Sequence, residues 1–126
     1  MKTSELTGAA LNWAVAKCEG FESFEFWHTG AVTTRYDNGV MRTHMFSTDW
    51  AQGGPIIERV GIRTEPEAFS STGFASWRAD TPNGATSEHG YKWCFGPTPL
   101  IAAMRCFVAS KLGDEVELPD VLLSAN

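Results

Sequence analysis

A segment near the C-terminus, Leu100 to Leu112, has the composition of a helix that is apolar on almost every side. Only Arg105, Ser110 and Lys111 interrupt its run of apolar residues. A helix of this kind must be covered on most of its surface. The segment therefore predicts either a helix at the centre of the core or a helix that is shared with a partner subunit.

The residues on either side of this segment contain signals for both helix ends. Thr98 is a residue type that caps the first free N–H groups, and Pro99 suits the first helical position. Gly113 suits the left-handed residue that follows a last helical turn. We therefore predict that Thr98 and Pro99 start this helix and that Gly113 ends it.

Length and composition predict one globular domain over residues 1–126, with residues 113–126 as an acidic C-terminal extension. The net charge of −5 disfavours non-specific binding of nucleic acid, which needs a basic surface. No apolar run approaches the roughly 18 residues of a membrane-spanning helix, and the first residues lack the apolar core of a signal peptide. Three cysteines without paired spacing, Cys18, Cys94 and Cys106, favour free thiols in a reducing compartment.

The N-terminal third of the chain predicts a helix followed by a strand. Thr7 suits the N-cap of a helix that ends at Cys18, and Gly20 follows its end. Trp13 lies off the apolar stripe of this helix, so it needs a second surface to cover it. Aromatic residues predict a strand from Phe24 to Thr29.

Asn38-Gly39 is the residue pair typical of a two-residue type I′ hairpin loop. In that register Arg35 lies opposite Arg42, and Thr33 lies opposite His44. The opposite face of the hairpin would then carry Val32, Thr34, Tyr36, Met41, Thr43 and Met45.

Two further elements complete the predicted fold. A second hairpin runs from Phe74–Trp77 to Tyr91–Phe95, with a polar connection around residues 81–84. Pro55 can begin a short middle helix that Gly61 ends. Together these elements predict an α+β fold: an antiparallel sheet of two hairpins, packed with N-terminal, short middle and C-terminal helices.

The sequence lacks the common catalytic and metal-binding motifs. It contains no nucleophile elbow, phosphate loop or dinucleotide-binding glycine motif. Its histidines are scattered, and no cysteine or histidine spacing indicates a metal site. We therefore expect no catalytic residues, no metal and no cofactor.

The predicted pair of Arg35 and Arg42 allows two interpretations. Both guanidinium groups can extend into water, because like charges directly opposed on a hairpin destabilise it. Alternatively an anion bridges them with help from His44, since the planar fork of arginine suits phosphate.

The segment from Ser47 to Pro55 also allows two interpretations. It can be a structural turn whose side chains cap local amides. Alternatively it is a ligand loop, in which glycines admit a ligand, the start of the helix binds an anion, and an indole stacks on a ring. The candidate ligand residues in this segment are Ser47, Thr48, Asp49, Trp50, Gly53 and Gly54.

Trp13 and Arg105 are candidate interface residues. An isolated charge on an apolar helix is costly, so Arg105 is expected to pair with a carboxylate or to reach a subunit interface. Together with the apolar C-terminal helix, these residues predict a homo-oligomer, with a dimer as the minimum.

Three segments, Met1–Leu11, Ser47–Arg59 and Gly96–Cys106, resemble the NinX-like proteins of lambdoid phages and prophages, a family of unknown function. The resemblance extends from Met1 to about Pro119. It implies a phage origin and expression in the cytoplasm of the bacterial host. It implies no catalytic residues.

A looser similarity is to phage anti-defence sponges, small α+β oligomers that sequester cyclic ADP-ribose-type immune signals through an aromatic and polar loop. We therefore expect a non-catalytic phage accessory protein that binds a small nucleotide-like host ligand, as an anti-defence sponge. The alternative is a modulator that binds a host protein through apolar and acidic surface. An enzyme that acts on a nucleotide is the third interpretation.

Overall fold

The computed structural model describes residues 1–35, 38–71, 73–81 and 93–123. In these ranges a 3₁₀ turn at Thr3–Glu5 precedes four α-helices and six β-strands. The helices are α1 (Gly8–Cys18), α2 (Trp50–Val60), α3 (Pro99–Leu112) and α4 (Asp120–Leu123). The strands are β1 (Phe24–Phe26), β2 (Val32–Arg35), β3 (Met41–His44), β4 (Arg63–Ser70), β5 (Gly73–Asp80) and β6 (Cys94–Gly96).

The strands form two antiparallel three-stranded sheets, ordered β1-β2-β3 and β4-β5-β6. The predicted α+β class is therefore confirmed, although the two predicted hairpins lie in separate sheets. The pairing of β5 with β6 places Trp77 opposite Gly96 and Ala79 opposite Cys94. Residues 36, 82–84, 91 and 92, which belong to the predicted hairpins, lie outside the described residues.

Strand β4 is an element that the sequence did not predict. It contains Pro66, and its register with β5 shifts between Pro66 and Ala68 and again before Phe69. Proline lacks the N–H that a central strand needs, so it is confined to edges and bulges. The position of β4 at the edge of the second sheet accommodates it.

Helix α3 lies at the centre of the core, where it contacts the second sheet, α1 and α2. Its most buried residues are Leu100, Ala102, Ala103, Met104, Cys106, Phe107 and Val108. The Thr98 side chain accepts a hydrogen bond from Ile101 N at 3.1 Å, which confirms the predicted cap. Gly113 has the predicted positive φ of 85°, although its ψ of −162° lies outside the left-handed helical region. Of the two predicted arrangements, the structure shows the central core position.

The register of the first hairpin differs by one residue from the prediction. Arg35 lies opposite Met41, and Thr34 lies opposite Arg42. A type I′ loop needs positive φ at both central residues. Of these two residues only Gly39 has it, at 85°, and the Asn38 side chain accepts a hydrogen bond from Val40 N at 3.0 Å.

Helix α2 begins five residues earlier than the sequence predicted. Asp49 is its N-cap and Trp50 its first residue, so Pro55 lies inside the helix instead of at its start. The predicted end is confirmed, since Gly61 adopts the left-handed conformation with φ 78°. The open glycine backbone that was expected before the helix is therefore helical.

The N-terminal region follows the prediction more closely. Helix α1 has Thr7 at its N-cap, although the hydroxyl makes no capping hydrogen bond. Strand β1 ends at Phe26 and not at Thr29, because the chain turns back when Gly30 N donates to Trp27 O. Within the described ranges, no helix is long and apolar enough to cross a membrane.

Candidate functional site

At the start of α2, the side chains of Asp49 and Gln52 form hydrogen bonds with the backbone and with each other. The Asp49 carboxylate accepts hydrogen bonds from Ala51 N at 3.0 Å and from the Gln52 amide at 3.1 Å. The same Gln52 side chain accepts from Met45 N at 3.0 Å. A carboxylate of the chain itself thus occupies the positive end of the helix. The prediction that an anion binds to a helix start at Pro55 is wrong, because the helix begins at Trp50.

Ser47 belongs to a buried polar network. The Asn12 carbonyl oxygen accepts from both Ser47 N, at 2.9 Å, and Ser47 Oγ, at 2.8 Å. The Asn12 amide donates to Gly30 O at 2.9 Å. This network joins α1 to the turn before α2 and to the loop before β2. It supports the structural interpretation for Ser47, whereas Thr48 and Trp50 remain exposed.

The two glycines of α2 differ in their surroundings. A Cβ at Gly53 would lie 2.5 Å from both Phe46 O and Leu100 Cδ1, while a Cβ at Gly54 would meet nothing within 4 Å. Gly53 is therefore required for the close approach of α2 to α3. Gly54 is helical with open space around it, so its position requires neither a positive φ nor the absence of a side chain.

The corrected register separates the predicted arginine pair. Because side chains alternate along a strand, Arg42 lies on the face of Thr34 and His44, and Arg35 lies on the other face. Arg35 instead forms an exposed ion pair with Glu25 at 3.9 Å. The prediction that an anion bridges two directly opposed arginines is therefore wrong.

His44 is fully buried on the inner face of the first sheet. Its Nε2 shares a hydrogen bond of 2.9 Å with Thr34 Oγ1, and its ring packs on Phe46 and Phe21 with centroid distances of 5.3 and 4.4 Å. Its Nδ1 has no hydrogen-bond partner in the described part of the chain. Burial, aided by the charge of Arg42, lowers the pKa of this imidazole.

An aromatic cleft of about 480 Å³ lies beside this histidine, between α1 and β1. We call it the aromatic cleft; its walls include Trp13, Phe21 and Phe24, with Lys17 at its rim. The rings of Trp13 and Phe24 meet edge to face at 6.4 Å. The cleft also includes Ser23, whose φ of 61° is unusual for a residue other than glycine.

Two cations lie over the rings of the aromatic cleft. Lys17 Nζ is 5.1 Å from the centroid of Trp13, and Arg42 Cζ is 5.4 Å from that of Phe21. Glu22 lines the same cleft, while nearby Glu19 is already paired with Arg59. Of the predicted set, Trp13 thus lines the cleft, while Arg42 and His44 contact its wall at Phe21. Arg35 lies on the opposite face of the sheet.

The two predicted interface residues are both engaged within one chain. Trp13 is only 6% exposed, covered by Phe24 and Lys17. Arg105 donates from Nε to Leu6 O and from Nη1 to Phe95 O, both at 2.8 Å. It therefore binds backbone carbonyls and not the expected carboxylate, and burial lowers its pKa. The homo-oligomer stays a prediction. Because α3 lies at the centre of the core, its apolar surface does not require a partner subunit to cover it.

A second cleft, of about 330 Å³, lies where α3, β6 and the N-terminal segment meet. We call it the Arg105 cleft; it is lined by Arg105, Cys94, Trp93, Phe95 and Lys2, among others. On the outer face of the second sheet, Arg63 and Arg78 lie 5.0 and 4.4 Å from the ring of Trp93. Within the described ranges, no group of three or more metal-ligating side chains is present.

The family model described as Bacteriophage P22, NinX matches residues 2–111. The chain belongs to this NinX family. The match confirms the resemblance that the three sequence segments indicated, and it covers every residue of the aromatic cleft. No curated protein matches the chain.

The aromatic cleft could not be recognised in the sequence as a site. Its residues come from the end of α1 and the segment up to β1, where aromatic and charged residues alternate without a known motif. Arg42 lies over Phe21 only in the observed hairpin register, which differs from the register that the Asn-Gly pair predicted. The available signal was the density of aromatic residues between Phe21 and Trp27.

Proposed function

We propose that this NinX-family protein is a non-catalytic phage accessory protein that binds a small nucleotide-like host molecule in the aromatic cleft. The observation that carries the proposal is the pair of cations, Lys17 and Arg42, each lying over an aromatic ring of one cleft. Aromatic walls suit a flat base, and cations beside them suit a phosphate. A nucleotide combines both groups.

The charge distribution supports an anionic ligand. The chain carries a net charge of −5, yet Lys17 lines this cleft and Arg42 lies over the ring of Phe21 in its wall, with Glu22 as the acidic residue of the lining. An anion is therefore directed to this place more than to the rest of the acidic surface. The unusual backbone of Ser23 adds support, because such conformations cluster at binding sites.

The proposed role requires only that the protein binds the nucleotide and leaves it chemically unchanged. A protein that holds a nucleotide signal in the cytoplasm of the bacterial host lowers the free concentration of that signal. We therefore propose that the protein acts as a sponge for an immune signal of the host.

Titration calorimetry with cyclic ADP-ribose isomers and cyclic dinucleotides tests the proposal. Lys17→Ala and Arg42→Ala should each weaken binding about tenfold, since a hydrogen bond to a charged group contributes about 1.5–3 kcal/mol. Arg35→Ala is the matched control, because it removes the same side chain from the opposite face of the same hairpin. It should leave the affinity unchanged.

Two results would contradict this proposal in different ways. Binding that survives both cleft substitutions would place the ligand elsewhere on the protein. The absence of heat with every nucleotide, together with no nucleotide that co-purifies, would favour the second candidate function.

The second candidate is a modulator that binds a host protein through the outer face of the first sheet. There Trp27 is 49% exposed and Met41 40% exposed, beside the pair of Arg35 and Glu25. The Trp27 indole donates to Thr33 Oγ1 at 3.1 Å, which holds a large apolar ring at the surface. Exposed aromatic residues of this kind are common binding anchors. A host polypeptide retained by the wild type and lost with Trp27→Ala would support this function.

A further inference from the structure

Glu22 is the acidic residue in the lining of the aromatic cleft. Among the described residues its carboxylate forms no ion pair or hydrogen bond, whereas the carboxylate of nearby Glu19 is paired with Arg59. A free carboxylate repels the phosphate of a nucleotide. The partner of Glu22 in a bound nucleotide is therefore a hydrogen-bond donor of the base or of the sugar.

Glu22 and Ser23 lie between the two phenylalanines of the cleft. Residues 20–24 line the cleft one after another, although successive side chains of an extended strand point to opposite faces. The φ of 61° at Ser23 interrupts an extended course of the backbone at this point. A base that stacks on Phe21 or Phe24 therefore has one edge beside a carboxylate and a hydroxyl.

These two side chains offer a defined set of hydrogen bonds. An ionised carboxylate only accepts hydrogen bonds, through two oxygens that lie side by side, and a hydroxyl can donate one. Guanine carries two neighbouring donors on one edge, N1–H and the N2 amino group, beside the acceptor O6. Adenine carries the acceptor N1 at the corresponding place, where its lone pair would face the carboxylate. Cytosine and uracil also lack two neighbouring donors.

We propose that the aromatic cleft selects guanine nucleotides. Glu22 accepts hydrogen bonds from N1–H and from the N2 amino group, and Ser23 donates to O6. This inference rests on the proposed function, since it concerns the base of a nucleotide bound in the same cleft. Lys17 and Arg42 keep their role toward the phosphate, so the carboxylate and the two cations act on different parts of one ligand.

Titration calorimetry with cyclic dinucleotides that differ only in their bases tests this selection. Cyclic di-GMP should bind to the wild type about tenfold more tightly than cyclic di-AMP, or more, because a bidentate contact with a base discriminates by this amount. Cyclic di-IMP retains N1–H and O6 but lacks the N2 amino group. Its affinity should therefore lie between the other two.

Glu22→Gln is the decisive variant, because glutamine has nearly the same shape but offers one donor and one acceptor. It should weaken the binding of cyclic di-GMP about tenfold and leave the affinity for cyclic di-AMP unchanged or higher. Glu22 is exposed, so the variant should fold like the wild type. The matched control is Glu25→Gln, which removes a carboxylate from the outer face of the first sheet and should change neither affinity.

The possible failures are distinguishable. Equal affinities of the wild type for cyclic di-GMP and cyclic di-AMP would overturn the selection of guanine and leave nucleotide binding intact. A preference for guanine that survives Glu22→Gln would overturn the role of Glu22. An equal loss with both ligands in this variant would also overturn it, since it would place the carboxylate on the sugar that they share. No binding of any nucleotide would overturn both this inference and the proposed function.

Discussion

Two regions of the molecule differ in how well the sequence predicted them. One is the contact between α2 and α3, and the other is the first β-sheet. In the first region, α3 has both of its predicted boundaries, and Thr98 caps it as expected. In the first sheet, the predicted strands exist but their register is shifted by one residue. Where capping residues specify a helix end, as at Thr98 and Gly61, it is read within one turn, whereas hairpin register depends on the loop and on pairing along both strands.

The two regions also differ in how they tolerate change. At the helix contact, Gly53 lies against the Leu100 side chain of α3 and the Phe46 carbonyl of the preceding turn, with no space for even one added carbon. In the first sheet, polar residues on one face are exposed while His44 is buried on the other. Substitutions should therefore have their largest effect at the helix contact and their smallest on the outer face of the sheet.

The largest effect is expected from Gly53→Val. The added side chain would lie against Phe46 O and Leu100, so α2 must move away from α3. Overpacking of this kind should lower the free energy of unfolding by about 3 kcal/mol, measured by urea denaturation. The control is Gly54→Ala, which meets open space and should change stability by less than about 1 kcal/mol in either direction. Equal losses for both variants would contradict the close approach of the two helices.

The second largest effect is expected for the dependence of stability on acid pH, which we attribute to His44. Burial, with the charge of Arg42, lowers the pKa of His44 in the folded protein below its ordinary value of about 6.5. As the pH falls below about 6.5, the unfolded state therefore takes up the proton first, and the free energy of unfolding decreases. Urea denaturation at several pH values should show that the free energy of unfolding decreases less steeply with falling pH for His44→Gln than for the wild type.

The control for this pH dependence is His28→Gln, which removes an exposed histidine. This variant should keep the acid dependence of the wild type. If His44→Gln and the wild type lose stability with the same slope, the buried neutral imidazole is not the cause.

A smaller effect is expected at the cap of α3. Thr98→Ala removes the acceptor for Ile101 N and should lower the free energy of unfolding by about 1 kcal/mol. Thr98→Ser retains the hydroxyl and should recover most of the loss. An unchanged thermal midpoint for Thr98→Ala would show that the cap contributes nothing.

The smallest effect is expected for Arg35→Ala on the outer face of the first sheet. Its ion pair with Glu25 is exposed, with an N–O distance of 3.9 Å, and should contribute less than about 1 kcal/mol. In the predicted register, the same substitution would instead relieve repulsion from Arg42 and stabilise the protein. Chemical denaturation of Arg35→Ala therefore distinguishes the two registers by the sign of the change.

Several features of this protein were determined by local sequence. The boundaries of α3, the left-handed end of α2 at Gly61 and the course of α1 each follow from capping and glycine preferences. The α+β class follows from the alternation of these helices with aromatic strands. Such signals act over one helical turn, so they do not require knowledge of the rest of the fold.

Other features were decided only by the tertiary structure. Helix α2 continues through Gly53, Gly54 and Pro55 because it packs on α3, which overrides poor helix propensity. Strand β4 exists because pairing with β5 supports a segment that contains Pro66.

The candidate site depends most strongly on the tertiary structure. Arg42 and Phe21 are far apart in the sequence, and they meet only in the observed register of the hairpin. Gly96 and Ala102 likewise approach closely because β6 lies directly against α3. Residue types reveal which chemistry is available, but only the packing of strands and helices decides which groups act at one place.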